Sequence, residues 1–249
     1  VKRVDEFAAA LALLTRLPAT RLIDGRPWPD AAATVWAYPL VGALIGAAGG
    51  AIFRLAAITG MPAGVAAVLS IAALLLLTGG YHEDGLADTV DAYGGGATVA
   101  QKLEIMRDSR IGAYGTMALI VAFALRGVAL ASLAPAPGAT ALIAACGLGR
   151  GAIIVVLLRL HPARADGIAA TLRQTPAAVV IAGLILAATA AGLLPLRMAL
   201  LCVAGAVAAG LASAALARRQ VGGYTGDILG ATEVVAECVI LCIVASVHT

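Results

Sequence analysis

The stretch GGYHEDGLADTVDAYGGGATVAQKLEIMRDSRIGAYG, residues 79–115, sits between two long apolar runs and holds six of the chain's fourteen acidic residues: Glu83, Asp84, Asp88, Asp91, Glu104 and Asp108. Charge gathered between two apolar runs reads as a polar loop joining two membrane spans. Composition agrees. Hydrophobic residues make up 61% of the chain and charged residues 12%, with a mean hydropathy of +0.98. A soluble domain has about 45–50% apolar and about 25% charged residues. The apolar residues are mostly Ala, Leu, Val and Ile, and aromatics are only 4%. Period-two aromatic strands are absent, so helices rather than a β-barrel are expected to satisfy the backbone in lipid.

Working outward, the apolar segments are roughly 35–58, 62–80, 112–134, 138–158, 176–194, 196–217 and 228–247. The expected fold is an all-α integral membrane protein of about seven transmembrane helices, a single membrane-embedded domain over 1–249. Residues 4–17 form a short helix ended by Pro18, too short to span at 1.5 Å per residue and suited to the interface. It imitates a signal peptide, but Asp5 and Glu6 interrupt its basic end, so it reads as retained. Residues 18–34 form a surface loop, and the 81–111 loop carries short helices of its own. The connections near 59–61, 135–137 and 195 are short enough to predict antiparallel hairpins.

Alternating the loops on two sides tests the span count. One side takes thirteen basic residues: Lys2, Arg3, Arg16, Arg21, Arg26, Lys102, Arg107, Arg110, Arg159, Arg164, Arg173, Arg218 and Arg219. The other takes Arg197 alone, while Arg54, Arg126 and Arg150 fall inside spans. The positive-inside rule then puts the N-terminus and the three long loops in the cytoplasm. The net charge of +3 is scattered, without a basic patch interleaved with aromatics, which argues against nucleic acid. Cys146, Cys202, Cys238 and Cys242 lie in apolar runs and read as packing residues. Gly42, Gly46 and Gly50, and the pair Gly147/Gly151, permit close helix approach and leave a homo-oligomer open.

Asp84, Asp88 and Asp91 fall at i, i+4 and i+7, on one helix face. Three carboxylates there repel one another unless a cation sits among them, and hard oxygen ligands suit Mg²⁺ or Mn²⁺ bridging to a substrate phosphate. A merely solvated acidic face would not need Gly85 beside Asp84 or Gly94–Gly96 just after, positions where backbone approaches a ligand or turns at positive φ. A second helix, Thr98 to Arg110, offers Glu104 and Asp108 with Arg107 and Arg110, either helix salt bridges or phosphate contacts. His82 adjoins the cluster as a candidate base, ligand or donor. In GGYTGDILGATEVVAE, residues 222–237, Asp227 reads first as an N-cap. Glu233 and Glu237 lie inside an apolar span, where ionisable groups are costly and are functional or paired, with Arg126 and Arg150 as candidate partners. The residues therefore call for a metal-diphosphate site at a membrane edge.

HEDGLADTVD (82–91), KLEIMRDSRIGAYG (102–115) and GGYTGDILGATE (222–233) resemble the motifs of the adenosylcobinamide-GDP ribazoletransferase family, also called cobalamin-5′-phosphate synthases. TRLP (15–18) and YPLVGALIG (38–46) fit the same family's N-terminal pattern, and Arg150 matches a family arginine. The resemblance implies an Mg²⁺-dependent enzyme of the bacterial inner membrane. A hydroxyl of α-ribazole, or of its 5′-phosphate, attacks the cobinamide-side phosphate of adenosylcobinamide-GDP; GMP leaves, and adenosylcobalamin or its 5′-phosphate forms. On that footing Asp84, Asp88 and Asp91 hold metal, and Arg107 and Arg110 clamp phosphate. Asp108 or Asp91 takes the hydroxyl proton, with His82 as a further catalytic candidate, and Asp227 and Glu233 complete the substrate site. Spaced aspartates also resemble those of CDP-alcohol phosphotransferases, though no arginine follows Ala87, and of membrane prenyltransferases. A secondary transporter would use Glu233, Glu237 and Arg126 as an ion path, but no inverted repeat is visible. The expectation to test is one shared pocket, with Asp227 beside Asp84.

Overall fold

The computed structural model describes residues 2–248; Val1 and Thr249, the ends of the expected single domain, lie outside the described residues. Among the described residues there are twelve α-helices and no named strand. They are α1 (Lys2–Leu14), α2 (Ala31–Thr34), α3 (Tyr38–Ile58), α4 (Ala63–Thr78), α5 (Tyr81–Gly95) and α6 (Val99–Ile105), then α7 (Ala113–Ala131), α8 (Pro135–Arg159), α9 (Ile168–Thr171), α10 (Ala177–Ala190), α11 (Leu196–Gln220) and α12 (Gly226–His248). Five are long and apolar enough to cross a membrane: α7, α8, α11, α12 and the run Ala31–Ile58 ending in α3. Counting each of two bent pairs as one span gives seven. Each of the seven apolar segments therefore has its helix, but the second and fifth are short and belong to bent pairs.

The first bend sets up the site. α4 ends at Gly79 and Gly80, with φ of 74° and 70°, a left-handed conformation that costs a residue with a Cβ and suits glycine. The chain turns by 91° into α5. α5 carries the polar residues of this bend and packs against α7 and α12. The three-glycine run makes no positive-φ turn. Gly94 and Gly95 end α5, and Gly96 has φ of −91°. A Cβ on Gly94 would lie 2.7 Å from the Tyr114 ring, and one on Gly96 2.5 Å from the Lys102 side chain. The run lets α6 and the start of α7 close onto α5.

α8 is the axis of the bundle, packed on α3, α10, α11 and α12. Its contact with α3 is backbone against backbone. A Cβ on Gly42 would meet the Cys146 carbonyl oxygen at 2.3 Å, and one on Gly46 the Leu142 carbonyl oxygen at 2.3 Å. In a bundle without a hydrophobic drive between helices in lipid, such close approach gains van der Waals contact. Gly147 and Gly151 likewise admit α10, each within 2.7 Å of an alanine methyl if given a Cβ. Of the three short connections, the one at 59–61 joins helices that pack on each other, α3 and α4. α7 instead packs on α4, α5 and α12, so the turn before Pro135 separates α7 and α8 rather than pairing them.

The polar segments meet at one end of the bundle. Arg16 N–H donates to the Leu77 carbonyl at 2.8 Å, tying the N-terminal segment to the α4 end. Arg107 pairs with Asp166 at 2.6 Å, Arg164 with Asp227 at 3.1 Å, and Lys102 with Gln220. The 81–111, 159–175 and 218–227 loops thus interlock, as the basic-residue count requires of loops on one side. α1 lies against α2 and α3, and at 13 residues it is too short to span. Its buried Glu6 accepts from Trp36 Nε1 at 2.8 Å, and Asp5 pairs with Arg26 at 2.8 Å.

Candidate active site

Asp84, Asp88 and Asp91 share a face of α5, as their spacing requires, but they are not equivalent. Asp91 is buried, and both of its oxygens are taken: Gly112 N–H donates to Oδ2 at 2.7 Å and Gly115 N–H to Oδ1 at 2.9 Å. These are two of the orphan donors at the α7 N-terminus, and the helix dipole there favours an anion. A Cβ at Gly112 or Gly115 would come within 2.4 Å of that carboxylate, which accounts for both glycines of IGAYG. The expectation that Asp91 serves as metal ligand or base meets a carboxylate engaged in holding α7.

Asp84 is exposed and Asp88 half-buried, and neither carboxylate has a hydrogen bond or ion pair among the described residues. Burial pushes the Asp88 carboxyl up to about 7, helped by the fields of Asp84, Asp227, Asp91 and Asp108. Five carboxylates therefore converge on one patch. Asp227 arrives from the start of α12. A Cβ on Gly85 would lie 2.7 Å from the Asp227 carbonyl oxygen, so Gly85 is the point where α12 crosses α5. The backbone approaching it belongs to α12. Asp227 is beside Asp84, as the shared-pocket expectation required.

Asp227 is not the N-cap of α12. That position belongs to Thr225, whose Oγ1 accepts from Ile228 N–H at 3.3 Å and donates to Asp227 Oδ2 at 3.1 Å. The Asp227 carboxylate is left facing Arg164, a residue that sequence reasoning did not single out. The second helix is also shorter than expected. A capping box of Thr98 and Gln101 starts α6, which ends at Ile105. Arg107, Asp108 and Arg110 therefore sit in the loop that follows. Arg110 forks onto Asp108, with Nη2 to Oδ2 at 2.6 Å, and holds that carboxyl below its ordinary range. Arg107 is paired with the equally exposed Asp166. Water screens exposed pairs of this kind, so they hold weakly and either guanidinium can exchange its partner for a phosphate.

Beneath the carboxylate face lies a buried ionic layer. Arg126 donates to Glu83 at 2.9 Å and to Glu237 at 3.1 Å. Arg150 donates to Glu233, to Glu237 at 3.3 Å and to the Cys146 carbonyl at 2.9 Å. His82 Nδ1 lies 3.1 Å from Glu233. The pairing of Glu233 and Glu237 with Arg126 and Arg150 is as anticipated; Glu83 is the member the sequence did not reveal. Glu233 is 2% exposed and His82 5%. The assignments of Glu233 to substrate and of His82 to catalysis thus meet side chains engaged inside the protein. The ionic groups line a cavity of about 10 Å³.

Among the described residues, no three His, Cys, Asp or Glu side chains are arranged to ligate one ion together. Mg²⁺ usually takes one or two carboxylates and completes its shell with water and substrate phosphate. Asp84 and Asp88, unpaired oxygen ligands one helical turn apart and mutually repelling, fit that pattern.

The cobalamin-5-phosphate synthase family model matches residues 6–245. An adenosylcobinamide-GDP ribazoletransferase of Bradyrhizobium diazoefficiens is 41% identical, covering 98% of this chain and 94% of the relative. Enzymes of the same name from Azorhizobium caulinodans and Xanthobacter autotrophicus are 42% and 43% identical; each alignment covers 95% of this chain, with 93% and 94% of the relatives. No solved structure matches. With the family motifs lining one carboxylate face and the match running from α1 to α12, the chain belongs to the cobalamin-5-phosphate synthase family.

Proposed function

We propose that the chain joins α-ribazole, or its 5′-phosphate, to adenosylcobinamide-GDP with release of GMP, at the cytoplasmic face of a bacterial inner membrane. The observation that carries this reading is the unpaired carboxylate face of α5, closed by Asp227 and rimmed by exchangeable arginines, in a chain of this family. The thirteen-to-one split of loop basic residues supports the cytoplasmic side. Family membership gives no support to a CDP-alcohol phosphotransferase or a prenyltransferase.

In the reaction, a ribose hydroxyl oxygen forms a bond to the cobinamide-side phosphorus. The bond from that phosphorus to the GMP oxygen breaks, and GMP carries away the charge. Mg²⁺, or Mn²⁺ in its place, held by Asp84 and Asp88, would supply neutralisation of the diphosphate and leaving group. Arg107 and Arg110 leave Asp166 and Asp108 to bind phosphate oxygens, for which a guanidinium fork is shaped. Once Arg110 turns away, the Asp108 carboxylate loses the partner that held its pKa down and becomes the better proton acceptor. Arg164 steadies Asp227 beside Asp84. Asp91 fixes the start of α7, and the Glu233–Arg150 layer fixes α5 on α12.

The test is purified protein in lipid, supplied with adenosylcobinamide-GDP, α-ribazole and Mg²⁺ and followed for GMP. Metal-dependent GMP in equal amount to cobalamin product is expected. A protein that binds lipid and folds but releases no GMP contradicts the reading.

A further inference from the structure

Where α8 and α11 end, their last turns border a groove of about 620 Å³. α11 lines it with Leu211, Ala215, Arg218 and Arg219, and α8 adds Leu158 and Arg159. On α11 these positions fall at i, i+4, i+7 and i+8, one helix face. That face is apolar on its inner turns and basic on its last turn, and the small Ala215 leaves the hollow between. Leu158 is 56% exposed and Leu211 38%, and both belong to helices long and apolar enough to cross a membrane. This flank of the groove is therefore turned to lipid. Arg159, Arg218 and Arg219 are exposed, and among the described residues none of them pairs with a carboxylate. The acidic residues of the adjoining loops are already taken, Asp166 by Arg107 and Asp227 by Arg164, and none lines the groove. Arg218 Nη2 donates to the Arg159 carbonyl at 3.0 Å, which holds its guanidinium at the groove and ties the end of α11 to the end of α8.

We propose that this groove binds an anionic phospholipid, its phosphate diester on Arg159, Arg218 and Arg219 and an acyl chain along Leu158 and Leu211. Three positive charges border one hollow with no anion of the protein's own, and a guanidinium fork is shaped for phosphate oxygens. Basic pockets between membrane helices recognise anionic headgroups in this way. A free phosphate or a nucleotide would meet the arginines but leave the apolar flank without an occupant. A lipid matches both halves of the groove. A zwitterionic lipid offers the same phosphate but brings its own cation toward the three arginines, and like charges repel there. The site therefore discriminates by headgroup charge.

Native mass spectrometry of the full chain in detergent resolves single bound lipids and tests this. Phosphatidylglycerol should bind wild type at least about tenfold more tightly than phosphatidylcholine of the same acyl chains. A basic residue near an anionic lipid surface contributes roughly fivefold in affinity, so Arg159→Gln/Arg218→Gln/Arg219→Gln should weaken the first phosphatidylglycerol by about a hundredfold. Phosphatidylcholine binding should be unchanged. Arg21→Gln/Arg54→Gln/Arg197→Gln removes the same charge elsewhere and should leave the first phosphatidylglycerol within about threefold of wild type. Ala215→Trp keeps all three arginines, fills the groove, and should also weaken phosphatidylglycerol. Inorganic phosphate should not displace the lipid. Equal wild-type affinity for the two lipids, or wild-type phosphatidylglycerol binding in both groove variants, overturns the proposal. So does an equal loss in the charge-matched control, which would make the attraction one of net charge, and so does displacement by inorganic phosphate, which would make the site one for a soluble anion.

Discussion

Asp88→Asn should lower metal-dependent GMP release by about 10²–10³-fold, the loss expected when about 3–4 kcal/mol of charge neutralisation is removed, while making the metal-free protein more stable. The two effects have one origin. Asp88 is pushed up to about 7 by burial and by the carboxylates around it, so the folded state prefers it protonated. Its unfolded value is near 3.8. For an acid raised on folding, the folded state binds the extra proton between those values, so stability falls as pH rises from about 4 to 7. In metal-free protein the melting temperature should therefore decline over that window. Asp88→Asn should remove this part of the decline and raise Tm at pH 7 by about 2–4 °C, the shift that about 1 kcal/mol gives after solvent screening at a half-exposed site. Mg²⁺ should stabilise the wild type at pH 7 and the variant much less. Thermal unfolding with chelator and with Mg²⁺ reads this directly; a variant that is both inactive and destabilised would make Asp88 a structural residue.

The second large effect lies in the buried ionic layer. Arg150→Ala should destabilise by about 3–5 kcal/mol, because it leaves Glu233 buried without its guanidinium. Arg150→Met combined with Glu233→Gln keeps most of the volume and removes both charges. Such replacements are often neutral or better than the ion pair, so the double variant should recover more than half of the loss. Detergent-solubilised unfolding curves for the single and double variants form the check. If the double variant is as unstable as the sum of the singles, Arg150 is held by its Cys146 carbonyl bond and its packing rather than by Glu233. Turnover should follow stability here, since these residues hold α5 against α8 and α12 and do not touch substrate.

Much of this was legible from local pattern. Length and hydropathy located every apolar helix, and glycines four apart marked the α3 face that meets α8. Acids inside an apolar span required partners, and Arg126 and Arg150 were the basic residues at hand. The features that escaped notice depend on tertiary placement. Glu83 reaches Arg126 across 43 positions, and Arg164 reaches Asp227 across 63; no periodicity connects such pairs. The three aspartates look alike in sequence, yet only packing shows Asp91 turned to the α7 N-terminus. Gly112 and Gly115 were the available signal, two glycines at the N-cap and third position of a helix with no capping side chain of its own. The 91° turn at Gly79–Gly80 is likewise readable only as a glycine pair. It turns α5 away from the line of α4 and packs it on α7 and α12, with Gly85 against the Asp227 backbone.

The central claim is that Asp84 and Asp88, closed by Asp227, hold a divalent ion against the diphosphate. Mn²⁺ electron paramagnetic resonance on protein in lipid nanodiscs, titrated with and without adenosylcobinamide-GDP, tests it most directly. The account predicts weak Mn²⁺ binding alone, binding tightened at least tenfold by the diphosphate substrate, and loss of that tightening in Asp84→Asn/Asp88→Asn. Equal substrate-linked Mn²⁺ binding in the double variant would contradict it.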